Sequence, residues 1–158
     1  MTKPLFIIGF MGAGKSTMAK EISMKLSLPH LDSDIEIEKK EGIPIEEIFT
    51  TKGESYFRNL ESNWLQNLSD EPKVISCGGG LPCFNDNIIL LKQKGKVIYL
   101  NSPNDLILER ILTETSRPLV KNKSKEEILE LKRNRELYYH LVDNQVSSFE
   151  EIEKNINL

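Results

Sequence analysis

Long apolar runs and a surplus of positive charge are both missing from this 158-residue sequence. No segment approaches the roughly 20 consecutive apolar residues that a transmembrane helix requires. The apolar run nearest the N-terminus, Leu5–Ile8, is also too short for the core of a signal peptide. The formal net charge is −3, whereas nucleic-acid-binding proteins usually carry a basic surplus. The sequence therefore predicts a cytoplasmic protein without membrane or nucleic-acid partners.

Cysteine is scarce as well. Cys77 and Cys83 are the only two, which is too few for a disulfide framework, and their spacing is not the CxxC of zinc or redox sites. Apolar residues make up 39% and charged residues 28% of the chain, which excludes a disordered or fibrous protein. A chain of this length can bury a sizeable core unaided. We expect a single domain over residues 1–158 and, because no long heptad pattern is present, a monomer.

Short apolar runs alternate with longer segments of helical periodicity. The predicted strands are Leu5–Ile8, Leu28–Asp32, Lys73–Ser76 and Val97–Leu100, with a weaker fifth near Gln145–Val146. The predicted helices are Lys15–Leu26, Ile35–Lys40, Pro44–Thr51, Glu54–Leu68, Asp86–Gln93 and Asn104–Thr113. This alternation indicates βαβ units, and hence an α/β fold with a parallel sheet and helices on both of its faces.

Two capping boxes predict where the last helices begin. Ser124 with Glu127 opens a long helix that should run to about Val142, and Ser148 with Glu151 opens a short final one. The segment between residues 113 and 124 has little periodicity, and we expect it to form a surface loop.

The most specific motif is a phosphate-binding loop of the form GxxxxGK[ST] at Gly9–Ser16, between a predicted strand and a predicted helix. Its glycines let backbone N–H groups curl around a phosphate, and the helix N-terminus adds its dipole. Lys15 would reach the outer phosphates and Ser16 would offer its hydroxyl to Mg²⁺. The predicted contacts to the nucleotide are therefore Gly12, Ala13, Gly14, Lys15, Ser16 and Thr17.

The motif alone predicts ATP or GTP as the nucleotide, and two missing motifs argue against a GTPase. A GTPase would show DxxG after a strand, and no Asp in this chain is followed three residues later by Gly. The guanine-reading NKxD is also missing, because Asn122-Lys123-Ser124-Lys125 lacks the Asp.

Several other residues have the chemistry of an acceptor site. Asp32 and Asp34 follow the second predicted strand, where ligands bind in open α/β sheets, although Asp34 could instead be a helix N-cap. Three glycines, Gly78–Gly80, end the third strand and predict close approach of a ligand. Arg58 could bind an anion, or form solvated ion pairs one helical turn away.

Arg135 is placed by helical geometry. It falls within the apolar stripe formed by Ile128, Leu131, Tyr138 and Val142, while Arg133 points away from it. A cation on an apolar face must bind an anion or form an internal salt bridge, because an unpaired buried charge is very costly.

Together these residues resemble shikimate kinase almost from end to end. The resemblance rests on Gly9–Thr17, Asp32-Ser33-Asp34, Phe57-Arg58-x-x-Glu61, Gly78–Gly80, Arg117-Pro118-Leu119, and Arg135 with Tyr139. It implies a three-layer α/β/α P-loop kinase with a five-stranded parallel sheet in the order 2-3-1-4-5. It also implies a shikimate-binding region at about residues 32–61 and a lid at about residues 113–124. The implied reaction moves the γ-phosphate of ATP to the 3-hydroxyl of shikimate, in the pathway to chorismate and the aromatic amino acids.

The resemblance also implies a role for each site residue. Lys15, Asp34 and Arg117 would be catalytic, and Arg110 and Arg117 would join the phosphate-binding loop in holding ATP. The residues implied to bind shikimate are Asp34, Arg58, Glu61, Gly79, Gly80 and Arg135. Mg²⁺ would be held by Ser16 and, through water, by Asp32.

Two alternatives remain open from the sequence. One is a kinase of another small hydroxy-acid, such as gluconate, on the same fold. The other is a nucleotide-binding regulator without acceptor chemistry, which would leave Asp34, Arg58 and Arg135 unexplained.

Overall fold

A five-stranded parallel sheet forms the centre of the molecule. The computed structural model describes residues 2–113 and 122–155. The strand order is β2-β3-β1-β4-β5, as the resemblance implied. The strands are β1 Leu5–Ile8, β2 His30–Asp32, β3 Val74–Ser76, β4 Lys96–Leu100 and β5 Asn144–Val146. Every pairing is parallel, so the carboxyl ends of all five strands lie along one edge of the sheet.

Helices cover both faces of this sheet. They are α1 Lys15–Leu26, α2 Ser33–Glu41, α3 Ile45–Lys52, α4 Glu54–Gln66, α5 Asn87–Lys94, α6 Asn104–Thr113, α7 Lys125–Tyr139 and α8 Phe149–Asn155, with a short 3₁₀ helix at Leu81–Cys83. Alternate side chains of β1 enter two different cores. Phe6 and Ile8 pack with Tyr99 and Tyr139 on one face, and Leu5 and Ile7 pack under α1 on the other. This is the pattern of a strand buried on both faces.

Most predicted elements agree with the structure to within a few residues, and α1 and α6 have the predicted bounds. The capping box at Ser124 and Glu127 is confirmed. At α8, the Glu151 carboxylate accepts from the backbone N–H and hydroxyl of Ser147, the residue before the predicted cap. Within residues 2–113 and 122–155, no helix is long and apolar enough to cross a membrane.

The predicted face of α7 needs a correction. The helix ends at Tyr139 rather than near Val142, and its buried residues are Ile128, Lys132, Arg135 and Tyr139. Tyr138, which the predicted stripe included, is 39% exposed. Arg135 does lie on the buried face, which it shares with Ile128, Lys132 and Tyr139.

Candidate active site

The phosphate-binding loop connects β1 to α1 in the predicted way. Gly12 (φ 77°) and Gly14 (φ 97°) adopt left-handed conformations that glycine tolerates best. Gly14 caps α1 without a side chain, so the first N–H groups of the helix face the loop. Lys15 Nζ lies over the loop and donates to the Phe10 carbonyl at 2.9 Å. The loop thus forms a cradle of N–H groups with one ammonium group above it, which suits a phosphate.

Asp32 is held at the carboxyl end of β2 by four hydrogen bonds. Its Oδ2 accepts from Ser16 Oγ at 2.9 Å and from Ser76 Oγ at 2.6 Å. Its Oδ1 accepts from the N–H groups of Asp34 and Ile35, so Asp32 is the N-cap of α2. The alternative that Asp34 serves as the N-cap is therefore wrong, and the Asp34 side chain is left for another role.

Ser16 and Asp32 also fit a magnesium ion. Mg²⁺ takes oxygen ligands, keeps several waters and is usually held by one or two protein side chains together with substrate phosphates. A hydroxyl and a carboxylate in direct contact beside the phosphate cradle provide such oxygens. Among the described residues, no cluster of three or more His, Cys, Asp or Glu side chains is arranged to hold a metal without such help.

Asp34 lies in the first turn of α2 and faces the glycines that follow β3. A side chain at Gly78 would overlap Asp34 Oδ1, so the triplet makes room for this carboxylate. Asp34 Oδ1 is buried and has no hydrogen-bond partner within residues 2–113 and 122–155. Burial, reinforced by the charge of Asp32, raises the pKa of Asp34 to about 6. The carboxylate is therefore poised to accept a hydrogen bond or a proton from a ligand.

Arg58 is buried on α4 and is only 5% exposed. Its Nη1 donates to Glu61 Oε2 at 2.7 Å, and its Nε and Nη2 donate to Glu54 Oε1. The guanidinium lies against Gly80, where any side chain would displace it. Burial raises the pKa of Glu61 to about 7, against the opposing charge of Arg58. The solvated ion pair that remained possible from the sequence is thus wrong for Glu61 and holds only for Glu54, which is 45% exposed.

Arg135 reaches the middle of the triplet from α7. Its Nη1 is buried, has no hydrogen-bond partner in the part of the chain that the structure describes, and lies close to Gly79. One turn further along α7, the Tyr139 hydroxyl donates to the Gly79 carbonyl at 2.5 Å. Arg133 is exposed on the other side of the helix. Among the residues described, no carboxylate bonds to Arg135 Nη1, so this part of the guanidinium is open to a ligand.

Two cavities meet at Asp34 and the first two glycines of the triplet. The larger, of about 410 Å³, is lined by the phosphate-binding loop together with Asp32 and Arg110. The smaller, of about 100 Å³, is lined by Arg58, Glu61 and Arg135. Residues that lie far apart in the sequence are thus brought into one site, with the phosphate cradle at one end and two arginines at the other.

Sequence reasoning missed the apolar wall of the smaller cavity. It consists of Met11, Ile45, Phe49 and Phe57. Phe57 was part of the motif Phe57-Arg58-x-x-Glu61, but no role in the site was predicted for it. The amphipathic pattern of α3 would have pointed to Ile45 and Phe49 as buried, although not as part of a site.

Arg110 and Arg117 were both expected to hold ATP, and the structure describes the position of Arg110. Arg110 lines the larger cavity, and its Nη1 donates to the Gly12 carbonyl at 3.0 Å. Arg117 and most of the predicted lid lie outside the described residues.

Comparison with known proteins gives a consistent result. The family model for shikimate kinase matches residues 11–156. The chain belongs to the shikimate kinase family. The shikimate kinase of Persephonella marina is 41% identical over 145 residues, covering 91% of this chain and 88% of the relative. The solved structure of shikimate kinase from Acinetobacter baumannii in complex with shikimate superposes with a TM-score of 0.85 at 34% identity, over 94% of this chain and 84% of that one.

A kinase of another family resembles this chain in fold alone. A gluconokinase from Sinorhizobium meliloti gives a TM-score of 0.52 at 17% identity, over 85% of this chain and 74% of that one. The likeness is consistent with the P-loop kinase fold and carries no information about the acceptor.

Proposed function

We propose that this chain transfers the γ-phosphate of ATP to the 3-hydroxyl of shikimate, giving shikimate 3-phosphate and ADP. The observation that carries the proposal is a set of buried atoms along the two cavities that have no hydrogen-bond partner among the described residues: Asp34 Oδ1, Glu61 Oε1 and Arg135 Nη1. Buried polar atoms are nearly always paired, because leaving one unpaired costs about 1–3 kcal/mol. A ligand that carries hydroxyl groups and a carboxylate supplies the missing donors and acceptor.

The smaller cavity suits the acceptor. Arg58 and Arg135 would grip the carboxylate of shikimate through charge-assisted hydrogen bonds, with the backbone of Gly79 and Gly80 close beside it. Glu61 would hold the Arg58 guanidinium in its working orientation. The apolar wall would pack against the carbon ring and exclude water, which favours transfer to an alcohol over hydrolysis.

Asp34 would act at the junction of the two cavities. Its unpaired Oδ1 would accept the hydrogen bond of the reacting hydroxyl, and its raised pKa suits a group that takes up the proton as the O–P bond forms. Placing this carboxylate between the acceptor and the phosphate cradle fixes the geometry of in-line transfer, which is where most of the catalysis of phosphoryl transfer lies.

The larger cavity suits the phosphates of ATP, the phosphate donor of shikimate kinases. Backbone N–H groups of the loop from Gly12 to Thr17 would hold the phosphates, and Lys15 would neutralise the charge that develops on the γ-phosphoryl. Ser16 would bind Mg²⁺ directly and Asp32 through water. An ion held by these two residues would supply charge neutralisation for the phosphates of ATP.

The base of ATP would lie beyond Arg110. A further cleft of about 190 Å³ shares Gly14, Thr17 and Arg110 with the phosphate cavity and is also lined by Leu106 and Phe149. Apolar side chains beside a cation form a suitable surface for a flat heteroaromatic ring.

A steady-state assay tests the proposed function directly. ADP release from MgATP is followed by an enzyme-linked reaction with shikimate, with gluconate and with no acceptor. Turnover that requires shikimate supports the proposal. Turnover with gluconate instead would retain the fold and the phosphate site but replace the acceptor. ADP binding without turnover on either alcohol would favour the nucleotide-binding regulator.

A Lys15→Met variant provides the control for the phosphate site. It should retain the far-ultraviolet circular dichroism spectrum of the parent and lose turnover. Unchanged turnover at equal folded protein would contradict the role assigned to Lys15.

Other expectations from the sequence remain predictions. They are the roles of Arg117 and of a lid at about residues 113–124, the single-domain organisation and the cytoplasmic, monomeric state.

A further inference from the structure

Phe84 covers the guanidinium of Arg58. The ring centroid lies 4.3 Å from Arg58 Cζ, closer than the rings of Phe57 at 5.3 Å and Phe49 at 6.0 Å. Cations within about 6 Å of an aromatic centroid are attracted to the face of the ring. Phe84 is itself 37% exposed, whereas Arg58 is 5% exposed, so the ring separates the guanidinium from solvent on this side.

The next residue fastens the same segment to α4. Asn85 Nδ2 donates to Ser62 Oγ at 2.9 Å and makes a longer contact of 3.4 Å with the Arg58 carbonyl. Ser62 Oγ in turn donates to that carbonyl at 3.0 Å. The ring of Phe84 and the amide of Asn85 therefore hold the side chain and the backbone of one residue, Arg58.

The backbone of this segment is also unusual. Asn85 (φ 52°) and Asp86 (φ 56°) are consecutive non-glycine residues in the left-handed region. Asn and Asp tolerate this conformation better than other residues with side chains, but it still carries a cost. The turn that brings Phe84 over Arg58 is thus held in place by tertiary contacts and not by its local preference alone.

We propose that Phe84 is a positioning residue for the acceptor site and that it acts by fixing the plane of the Arg58 guanidinium. Glu54 and Glu61 together take three of the five N–H donors of Arg58 and set the direction of the group within its plane. The aromatic face of Phe84 sets the tilt of the plane, so the remaining N–H groups stay aimed at the acceptor cavity. This inference rests on the proposed role of Arg58 in binding the carboxylate of shikimate.

Three variants separate this role from simple packing. Phe84→Leu keeps an apolar side chain but removes the aromatic face, and it should raise KM and Kd for shikimate by about 3- to 30-fold, the range for a partly desolvated cation–π contact. KM for MgATP should stay at the parent value. Phe84→Tyr keeps the aromatic face and should keep the parental KM for shikimate. The control is Tyr138→Leu, because Tyr138 is 39% exposed and lies on the outer side of α7.

A nuclear magnetic resonance measurement reads the contact without activity. The Arg58 Nε–H proton, assigned from its loss in Arg58→Lys, should show a ring-current shift in the parent and in Phe84→Tyr but not in Phe84→Leu. If the parent uses shikimate but Phe84→Leu has the parental KM and Kd, the proposal fails. An Arg58 Nε–H signal that does not move in Phe84→Leu overturns it as well. Failure of the proposed function is distinct, since the parent itself would then show no turnover with shikimate.

Discussion

The Cα atom of Gly78 faces Asp34 Oδ1 so closely that a Cβ at this position would overlap the carboxylate. The Gly78 N–H also donates to Ser33 Oγ at 2.8 Å, which ties the glycine to the first turn of α2. The missing side chain at Gly78 therefore determines where Asp34 lies, even though Gly78 has no chemistry of its own.

This relationship predicts that Gly78→Ala loses turnover because Asp34 is displaced. Gly78 does not have a positive φ, so the backbone itself would accept alanine and the effect arises from contact with the carboxylate. Displacing a reacting group by about 1 Å can cost about 100-fold in rate. Steady-state kinetics should show a fall in kcat of that order, and calorimetry should show that ADP still binds.

The matched control for this substitution is Gly42→Ala. Nothing lies within 4 Å of a Cβ at Gly42, although its φ of 74° makes alanine unfavourable there. This variant should therefore lose about 1 kcal/mol of stability and keep the parental kcat. An equal loss of kcat in the two variants would show that general destabilisation, and not the contact with Asp34, is responsible.

A second prediction concerns stability. Burial raises the pKa of Asp34 to about 6, above its value of about 3.9 in an unfolded chain. Between these values the native state binds more protons than the unfolded state, so the buried carboxylate lowers the free energy of unfolding as pH rises through this window. Asp34→Asn should therefore stabilise the ligand-free protein above pH 6, by at most about 3 kcal/mol, while kcat falls by about 10²- to 10⁴-fold.

Urea unfolding at pH 8 and pH 5 tests the sign of this effect. The stability gained by Asp34→Asn should be largest at pH 8 and smaller at pH 5, where the native carboxyl group of the parent is mostly protonated. A gain that is the same at both pH values would mean that the substitution acts through packing rather than through the charge.

The sequence alone predicts the local motifs that form the site. It does not predict which residues contact one another across the site. The phosphate-binding loop is a local motif, so Lys15 and Ser16 could be placed without knowledge of the fold. The triplet Gly78–Gly80 predicts close approach of a ligand, and this stays a prediction. In the structure, however, the groups that approach it are the protein's own Asp34, Arg135 and Arg58.

Other features depend on partners that are distant in the sequence. Helical periodicity predicts that Tyr138 lies on the buried face of α7. In the structure the buried residue is its neighbour Tyr139, whose hydroxyl donates to the Gly79 carbonyl. Likewise, the spacing of Arg58 with Glu54 and Glu61 is the same whether the pairs are solvated or buried. The packing of α4 in the folded chain buries Glu61 and leaves Glu54 exposed, and the spacing alone does not show this.

The two carboxylates that hold Arg58 provide a third prediction. Glu61 is 1% exposed and Glu54 is 45% exposed. Breaking a buried pair leaves an uncompensated charge and can cost about 3–5 kcal/mol, whereas an exposed pair contributes about 0–1 kcal/mol. Glu61→Gln should therefore raise KM and Kd for shikimate at least about tenfold. Glu54→Gln should change both only slightly, and equal effects in the two variants would contradict this assignment.

Arg135 and Arg133 provide the fourth prediction, since they lie two residues apart on α7 with opposite exposure. Arg135→Ala removes the buried Nη1 that has no partner in the described part of the chain. Hydrogen bonds to charged groups contribute about 1.5–3 kcal/mol, so KM for shikimate should rise by about 10- to 150-fold, while the Kd for ADP is unchanged. Arg133→Ala should stay within about twofold of the parent, as surface substitutions usually do. A rise in KM for shikimate in the Arg133 variant alone would move the carboxylate-binding role to Arg133. It would also mean that the buried guanidinium serves only to pack α7 against the glycine triplet.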